Sequence, residues 1–269
     1  MTVNKRPGDK LAGGLVSVTF RQLAPEAIVE LTRQAGLACI EWGGDIHVPH
    51  GDLARAEAVA RLTGDAGLRV AAYGSYYRVG APPHETPPWL AVQETALALG
   101  APVVRVWAGN LGSRQADGDI WDRVVADAQR IAELARDAGL IIAFEHHHGT
   151  LADGVATARD LYRRIGCPNV RLCWQPLQGL TTQQRVTDLR ALLPQLAHLH
   201  VFHWPEIAGA VSWRPLAEGD RPWRRYLRVL NNAPVGTALL LEFVKDHDPE
   251  QFLRDAATLR GWLDGSSKL

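Results

Sequence analysis

The 269-residue sequence predicts a single (β/α)8 barrel. Short apolar runs alternate eight times with helix-length amphipathic stretches, a pattern of parallel strands joined by right-handed crossovers. Eight such units in about 250 residues match the size of a closed barrel. No linker or composition break divides the chain. The alternative, an open doubly wound sheet, lacks its mark, because no GxGxxG follows the first strand. A flexible N-terminal segment is expected over residues 1–12, and the barrel domain over residues 13–265.

The elements follow in order. Residues 14–20 (GLVSVTF) read as the first strand. Residues 25–36 carry Ile28, Val29, Leu31 and Thr32 at helical spacing, with Pro25 near the start and Gly36 at the end. Residues 37–44 (LACIEWGG) form a second strand ending in Glu41 and Trp42, and Asp52 caps a helix running to Gly67. Residues 68–75 form the third strand, and a loop rich in proline leads to a helix over 89–100. The fourth strand is 102–108 (PVVRVWA), and the next helix covers roughly 119–139.

The fifth strand is the apolar run Leu140, Ile141, Ile142, Ala143, Phe144, which leads into Glu145, His146, His147 and His148. Such an unbroken run suits a strand buried on both faces. The sequence then places a helix over 155–166, a sixth strand over 169–175 (NVRLCWQ) and a helix over 182–193. The seventh strand is 196–203 (LAHLHVFH). A long connection leads to a helix around 222–230, the eighth strand at 237–244 (TALLLEFV) and a closing helix over 249–263.

Composition bounds the function. Lys+Arg and Asp+Glu both total 29, so no basic excess exists to hold a nucleic acid backbone. No apolar run approaches the roughly 20 residues that span a bilayer. The N-terminal stretch lacks the apolar core of a signal peptide, and the three cysteines, Cys39, Cys167 and Cys173, are far apart and odd in number. A cytoplasmic protein with reduced thiols is expected.

Polar groups gather at the strand ends: Glu145 on strand five, Gln175 on six, His200 and His203 on seven, Glu242 on eight. A barrel brings these ends to one mouth, where chemistry is done. If Glu145 points inward, so do Ala143 and Ile141, and if Glu242 does, so do Leu240 and Ala238. Two carboxylates, an imidazole and an amide oxygen suit a hard or borderline divalent ion. The bland alternative is a set of polar groups hydrogen-bonded to one another without metal.

These segments resemble the xylose-isomerase-like barrels, the sugar phosphate isomerase/epimerase family, over nearly the whole chain. The resemblance rests on the E-x-H of FEHHH, on LCWQP, HLHVFH and LLLEF, and on the loop RPLAEGD. It implies that Glu145, Gln175, His200 and Glu242 are ligands of one divalent ion, with Mn²⁺ expected and Mg²⁺, Co²⁺ or Zn²⁺ as alternatives. It also implies that Glu145 and Glu242 are catalytic and that His147 contacts substrate. The implied chemistry is proton abstraction next to a sugar carbonyl through an enediolate. Two departures stand out. Gln175 occupies a position usually held by Asp, and Phe202 and His203 replace the acidic or lysine residues often found after the strand-seven histidine.

Trp107, His203, Arg214 and Glu41 complete the candidate substrate contacts. Trp107, Trp42, Trp174 and Trp204 fall near strand ends, where indoles stack on sugar faces, although alternation turns Trp174 toward the helices. Glu41 and Arg105 are partners of substrate or of each other, and Arg214 lies in the long loop after strand seven or on the surface. His47 and His50 would cover the mouth or be solvated. The same site would also serve a dehydratase or lyase acting on a keto-sugar, or a non-catalytic sugar-binding subunit. A DNA-repair endonuclease of this fold would need a histidine where Gln178 stands. A small sugar is the expected partner, with no nucleic acid or membrane, and the resemblance implies a homodimer or homotetramer.

Overall fold

A computed structural model describes residues 11–207, 210–234 and 236–266. Of the expected flexible segment, residues 1–10 lie outside the described residues, and Leu11 and Ala12 belong to the first strand. Eight parallel strands close into a barrel in sequence order: β1 (Leu11–Val16), β2 (Cys39–Gly43), β3 (Arg69–Arg78), β4 (Val103–Trp107), β5 (Ile141–Glu145), β6 (Val170–Trp174), β7 (Leu196–Val201) and β8 (Thr237–Leu241). Eight helices follow them: α1 (Pro25–Gln34), α2 (Leu53–Asp65), α3 (Trp89–Leu99), α4 (Gly118–Asp137), α5 (Val155–Ile165), α6 (Thr182–Leu192), α7 (Asp220–Leu230) and α8 (Pro249–Ser266).

Local chemistry sets the helix ends. The Asp52 side chain accepts a hydrogen bond from the Arg55 N–H at 3.0 Å, and Asp117 accepts one from Ile120 at 2.9 Å. Thr181 and Gln184 cap α6 reciprocally, each side chain accepting from the other's backbone N–H. The first strand lies earlier than its residue pattern indicates: residues 17–20 turn into a short 3-10 helix, where the Ser17 hydroxyl accepts from the Gly43 N–H at 2.9 Å. The loop after β7 carries a two-residue antiparallel pairing of Glu206–Ile207 with Ala210–Val211.

Alternation separates two cores. Ala143, Ile141, Cys173, Val103 and Ala72 pack inside the barrel, as do Leu240, Ala238, Cys39, Val16 and Val18. Their neighbours in sequence, Ile142, Phe144, Leu239 and Leu241, face the helices and join the large outer core. Trp174 faces outward, packing edge-on against Tyr226 at 5.4 Å and Trp223 at 6.4 Å. Truncating a fully buried indole of this kind costs about 3–5 kcal/mol. Small and medium side chains thus fill the lower barrel, and the polar residues lie above them. No helix among the described residues is long and apolar enough to cross a membrane.

Candidate active site

A layer of buried ionic side chains crosses the barrel at mid-height. Glu41 from β2 is fully buried, and Arg105 from β4 donates its Nε to Glu41 Oε1 at 2.6 Å. Arg105 Nη1 donates to Glu145 Oε2 at the end of β5. One guanidinium therefore ties two carboxylates from different strands. On the far side of Glu41, Oε2 lies 3.0 Å from His198 Nε2 and 3.2 Å from His200 Nε2, both on β7. Glu41 and Arg105 thus pair with each other, and Arg105 also lines the cavity above them.

Close approach at this layer depends on Gly74. A Cβ there would lie 2.7 Å from Arg105 Nη2 and 2.9 Å from Glu41 Oε1. The neighbouring β3–β4 register jumps from Gly74 to Tyr77, which loops Ser75 and Tyr76 out of the ladder. Tyr76 takes a left-handed backbone, φ 55°, and so does Phe243, φ 54°. Bulky residues pay for that conformation, and such strain clusters at functional sites. Both residues line the cavity above the ionic layer.

That cavity has a volume of about 270 Å³. Glu145, Gln175, Glu242, Arg105, Trp107 and His147 line it, together with Val18, Arg21, Tyr76, Trp204 and Phe243. The Trp107 indole N–H donates to Glu145 Oε2 at 2.5 Å, and Gln175 Nε2 donates to Glu145 Oε1 at 3.1 Å. Trp107 also stacks on His147, with centroids 5.3 Å apart and ring planes 19° off parallel. Arg21 holds the Tyr76 hydroxyl at 2.8 Å, fixing the opposite wall.

The electrostatics follow from these contacts. Burial would raise the Glu145 pKa, but Arg105 foremost, with His200, His147 and the Trp107 donor, holds it below the usual carboxylate range. Burial likewise opposes ionisation of Glu41, yet Arg105, His200 and His198 keep its pKa well below the ordinary value. Burial disfavours the His200 imidazolium, but Cys173, Glu242 and Glu41 together raise its pKa well above the histidine norm. Three buried carboxylates, Glu41, Glu145 and Glu242, face one guanidinium, and the raised pKa values of His198 and His200 let these imidazoles carry the balancing positive charge.

Two atoms mark a place where a divalent cation would replace the His200 proton. His200 Nδ1 and Glu242 Oε2 are buried without hydrogen-bond partners, although they lie 3.1 Å apart. They are near each other and yet not aligned to bond each other. His200 Nδ1 also stands 4.0 Å from Glu145 Oε1. Ligands of a common divalent ion stand roughly 3–4 Å apart, because metal–ligand bonds are about 2.0–2.3 Å long. His200 and Glu242, with Glu145 at the outer limit, are thus spaced for a shared ion, whereas Gln175 presents its amide nitrogen to Glu145. A second donor set lies beneath: Cys173, His198 and His200 bring one sulfur and two ring nitrogens within 4.8 Å of one another.

The other sequence candidates fall elsewhere. His203 leaves β7 toward a separate cavity, where burial lowers its pKa. Arg214 bonds Glu218 Oε2 at 2.8 Å and lines neither cavity. His47 bonds Ser17 at 2.9 Å and His50 bonds Tyr73 at 2.7 Å, both away from the lining. Burial pushes the pKa of His146 down to about 4, and its ring contacts the Ala152 carbonyl at 2.7 Å. His198 and Cys173 were missed by the sequence reading. Alternation carries their signal, since each lies two residues before a chosen site residue on the same inward face.

Fold and site together define a (β/α)8 barrel with a carboxylate–imidazole centre fit for a divalent ion. The family model described as xylose isomerase-like TIM barrel matches residues 29–263, and the chain belongs to that family. A comparison with curated proteins finds no match. Among solved structures, it is similar to a probable 3-DHS dehydratase from Bacillus anthracis involved in petrobactin synthesis, with a TM-score of 0.80 at 18% identity, covering 93% of this chain and 98% of that one. A xylose isomerase-like TIM barrel protein from Mycobacterium smegmatis, in complex with magnesium, gives a TM-score of 0.73 at 13% identity, covering 96% and 97%. A D-psicose 3-epimerase, solved in the presence of D-fructose, gives 0.70 at 16%, covering 94% and 100%.

Proposed function

We propose that this protein is a divalent-metal-dependent isomerase or epimerase that removes a proton next to the carbonyl of a keto-sugar or polyol-derived ketone. The observation that carries the reading is the unpartnered pair His200 Nδ1 and Glu242 Oε2, 3.1 Å apart beside the cavity. Glu145, Gln175, His200 and Glu242 would hold the ion; Gln175 does so through its amide oxygen once the side chain turns from Glu145. When bound, such an ion acts as a Lewis acid toward a carbonyl oxygen. The magnesium in the Mycobacterium smegmatis relative is in keeping with this reading.

The chain's own residues divide the remaining work. Arg105 and Trp107 both donate to Glu145 Oε2, so protonating that oxygen would forfeit two charge-assisted hydrogen bonds. Glu145 accordingly serves as an anchored anion. Glu242 Oε2 faces His200 and would hold the ion, so the other carboxylate oxygen is the one that would take the substrate proton. Trp107, Tyr76, Trp204 and Phe243 supply aromatic walls for the C–H faces of a sugar. A cavity of about 270 Å³ suits one of monosaccharide size, being near the low end of the roughly 300–1,000 Å³ of ligand sites.

The hold on Glu145 also favours a second reading. Epimerisation uses a base on each face of the carbon, whereas loss of a β-hydroxyl needs one base and one acid. Glu242 as base, with His147 in the same cavity as acid, suits a keto-sugar dehydratase, and the similar Bacillus anthracis protein is named a probable 3-DHS dehydratase.

The test is elemental analysis of the purified protein before and after chelation, alongside Glu242→Ala, followed by C–H exchange in D2O over a panel of ketoses. Near-stoichiometric metal that is lost in the variant, with exchange at the carbon beside the carbonyl, is the expected result. A protein that takes up no metal from excess Mn²⁺ overturns the proposal. Exchange into recovered sugar identifies the isomerase or epimerase, and a dehydrated product identifies the lyase.

A further inference from the structure

A second and larger cavity, of about 420 Å³, lies between the loops after β6 and β7 and the N-terminal turns of α6 and α7. Trp204 lines both cavities, so the two are neighbours across one indole. The lining of the second cavity contains no aspartate or glutamate. Its exposed lining is about half apolar, with Trp204 more exposed than Trp223 or Phe202, and it carries the side chains of Arg185, Thr181 and Thr182.

Three donors matter. Arg185 spends its Nε on the Leu177 carbonyl at 2.7 Å and forms no ion pair among the described residues. Tyr226 is 1% exposed, and its hydroxyl lies beside Arg185 and Thr182 without a well-aligned hydrogen bond to either. Its ring is fixed edge-on against Trp174 at 5.4 Å and against Trp223 at 5.2 Å, so the hydroxyl cannot turn away to water. The Trp204 indole N–H is buried and unpartnered. Orphaned buried donors are costly, at about 1–3 kcal/mol each, and are not kept without a partner.

We propose that this cavity is a second binding site, for a small organic carboxylate with a flat apolar body. The carboxylate oxygens meet Arg185 and the Tyr226 hydroxyl, and the body lies against the partly exposed Trp204 ring. A cation in a cavity without acidic groups selects an anion. The aromatic wall selects a ring over a bare oxyanion, because stacking against it releases water from both faces. The site stands apart from the metal reading, since none of these residues is among the proposed ligands.

The experiment is isothermal titration calorimetry on the full chain, held in chelator so that no carboxylate is captured by metal. The probes are benzoate, benzyl alcohol as its neutral counterpart, and inorganic phosphate. Benzoate is expected to bind at one site with a dissociation constant below about 1 mM. Tyr226→Phe, which removes only the hydroxyl, should weaken it by about five- to tenfold, and Arg185→Gln by about tenfold or more. Trp107→Phe, in the first cavity alone, should leave it unchanged. Thermal melts establish that each variant is folded. Benzoate binding that survives both Tyr226→Phe and Arg185→Gln, or that is lost in Trp107→Phe, overturns the proposal, as does a wild-type protein that binds no benzoate. Phosphate binding as tightly as benzoate overturns the apolar body and leaves a plain oxyanion site.

Discussion

Gln175→Glu probes the charge balance of the site with an isosteric change. In the wild type, Gln175 Nε2 donates to Glu145 Oε1 at 3.1 Å. The variant places a carboxylate where that donor was. Two unit charges at this separation repel by roughly 5 kcal/mol at an effective dielectric of about 20. The pair has a cheaper escape, which is to hold one proton between them. Keeping a carboxyl of ordinary pKa, about 4.3, protonated at about pH 7 costs near 2.7 units at about 1.36 kcal/mol each, or about 3.7 kcal/mol. The variant should therefore lose about 3–4 kcal/mol of stability in chelator, a large share of the roughly 5–15 kcal/mol of a typical domain. The raised carboxyl binds a proton in the folded state that the unfolded chain does not bind at neutral pH. Its stability should accordingly rise as pH falls from about 7 toward 4.3. Added Mn²⁺ should recover more stability in the variant than in the wild type, and metal affinity should tighten by about tenfold or more. Denaturant unfolding with and without Mn²⁺ measures both effects. Equal stability in chelator, or a metal gain no larger than in the wild type, would refute the placement of Gln175 against Glu145 and the metal.

Other predictions concern the same layer. Glu242→Gln should reduce C–H exchange by about 100-fold or more. Thermal melts check that the variant is folded, and wild-type exchange rates would remove Glu242 as the base. Gly74→Ala drives a methyl group into Arg105 Nη2 and Glu41 Oε1, at 2.7 and 2.9 Å. Separating this buried pair should cost about 2–4 kcal/mol in urea unfolding, and an unchanged midpoint would show that the approach is not close. In chelator, stability should fall at both ends of the pH range. The depressed pKa values of Glu41 and Glu145 give stability that is present above about pH 4.3 and lost as pH falls through the folded values. His198 works in the opposite sense: burial opposes its charge, but Cys173 and Glu41 raise its pKa to about 9. Its contribution is complete below about pH 6.5 and lost as pH rises through about 9. Unfolding curves across pH measure both limbs, and a flat alkaline limb would show that His198 is neutral throughout.

The barrel was legible because its signals are periodic. Eight apolar runs at strand spacing set the topology, and alternation sorted Ala143 and Leu240 from Phe144 and Leu241 correctly between the two cores. Strand-end position and the family resemblance gathered Glu145, Gln175, His200 and Glu242, and alternation carried one step back along each strand would have added Cys173 and His198. It fails where the ladder breaks. Between Gly74 and Tyr77 the β3–β4 register slips, and the strained Tyr76 that this throws into the cavity follows no periodicity. Arg105 was visible as a buried charge, but nothing in its own strand says that it would grip Glu145 as well as Glu41, since that depends on three strands meeting across the barrel. Beyond the strand ends, direction is set by loop packing alone. His203 turns away from the cavity that His200 adjoins because β7 stops at Val201 and Gly219 leaves room for the ring: a Cβ there would lie 2.9 Å from His203 Cγ. The centre of the site is thus written at the strand ends, while its selectivity is set by a slipped register and by loops, where local sequence and side-chain direction are no longer coupled.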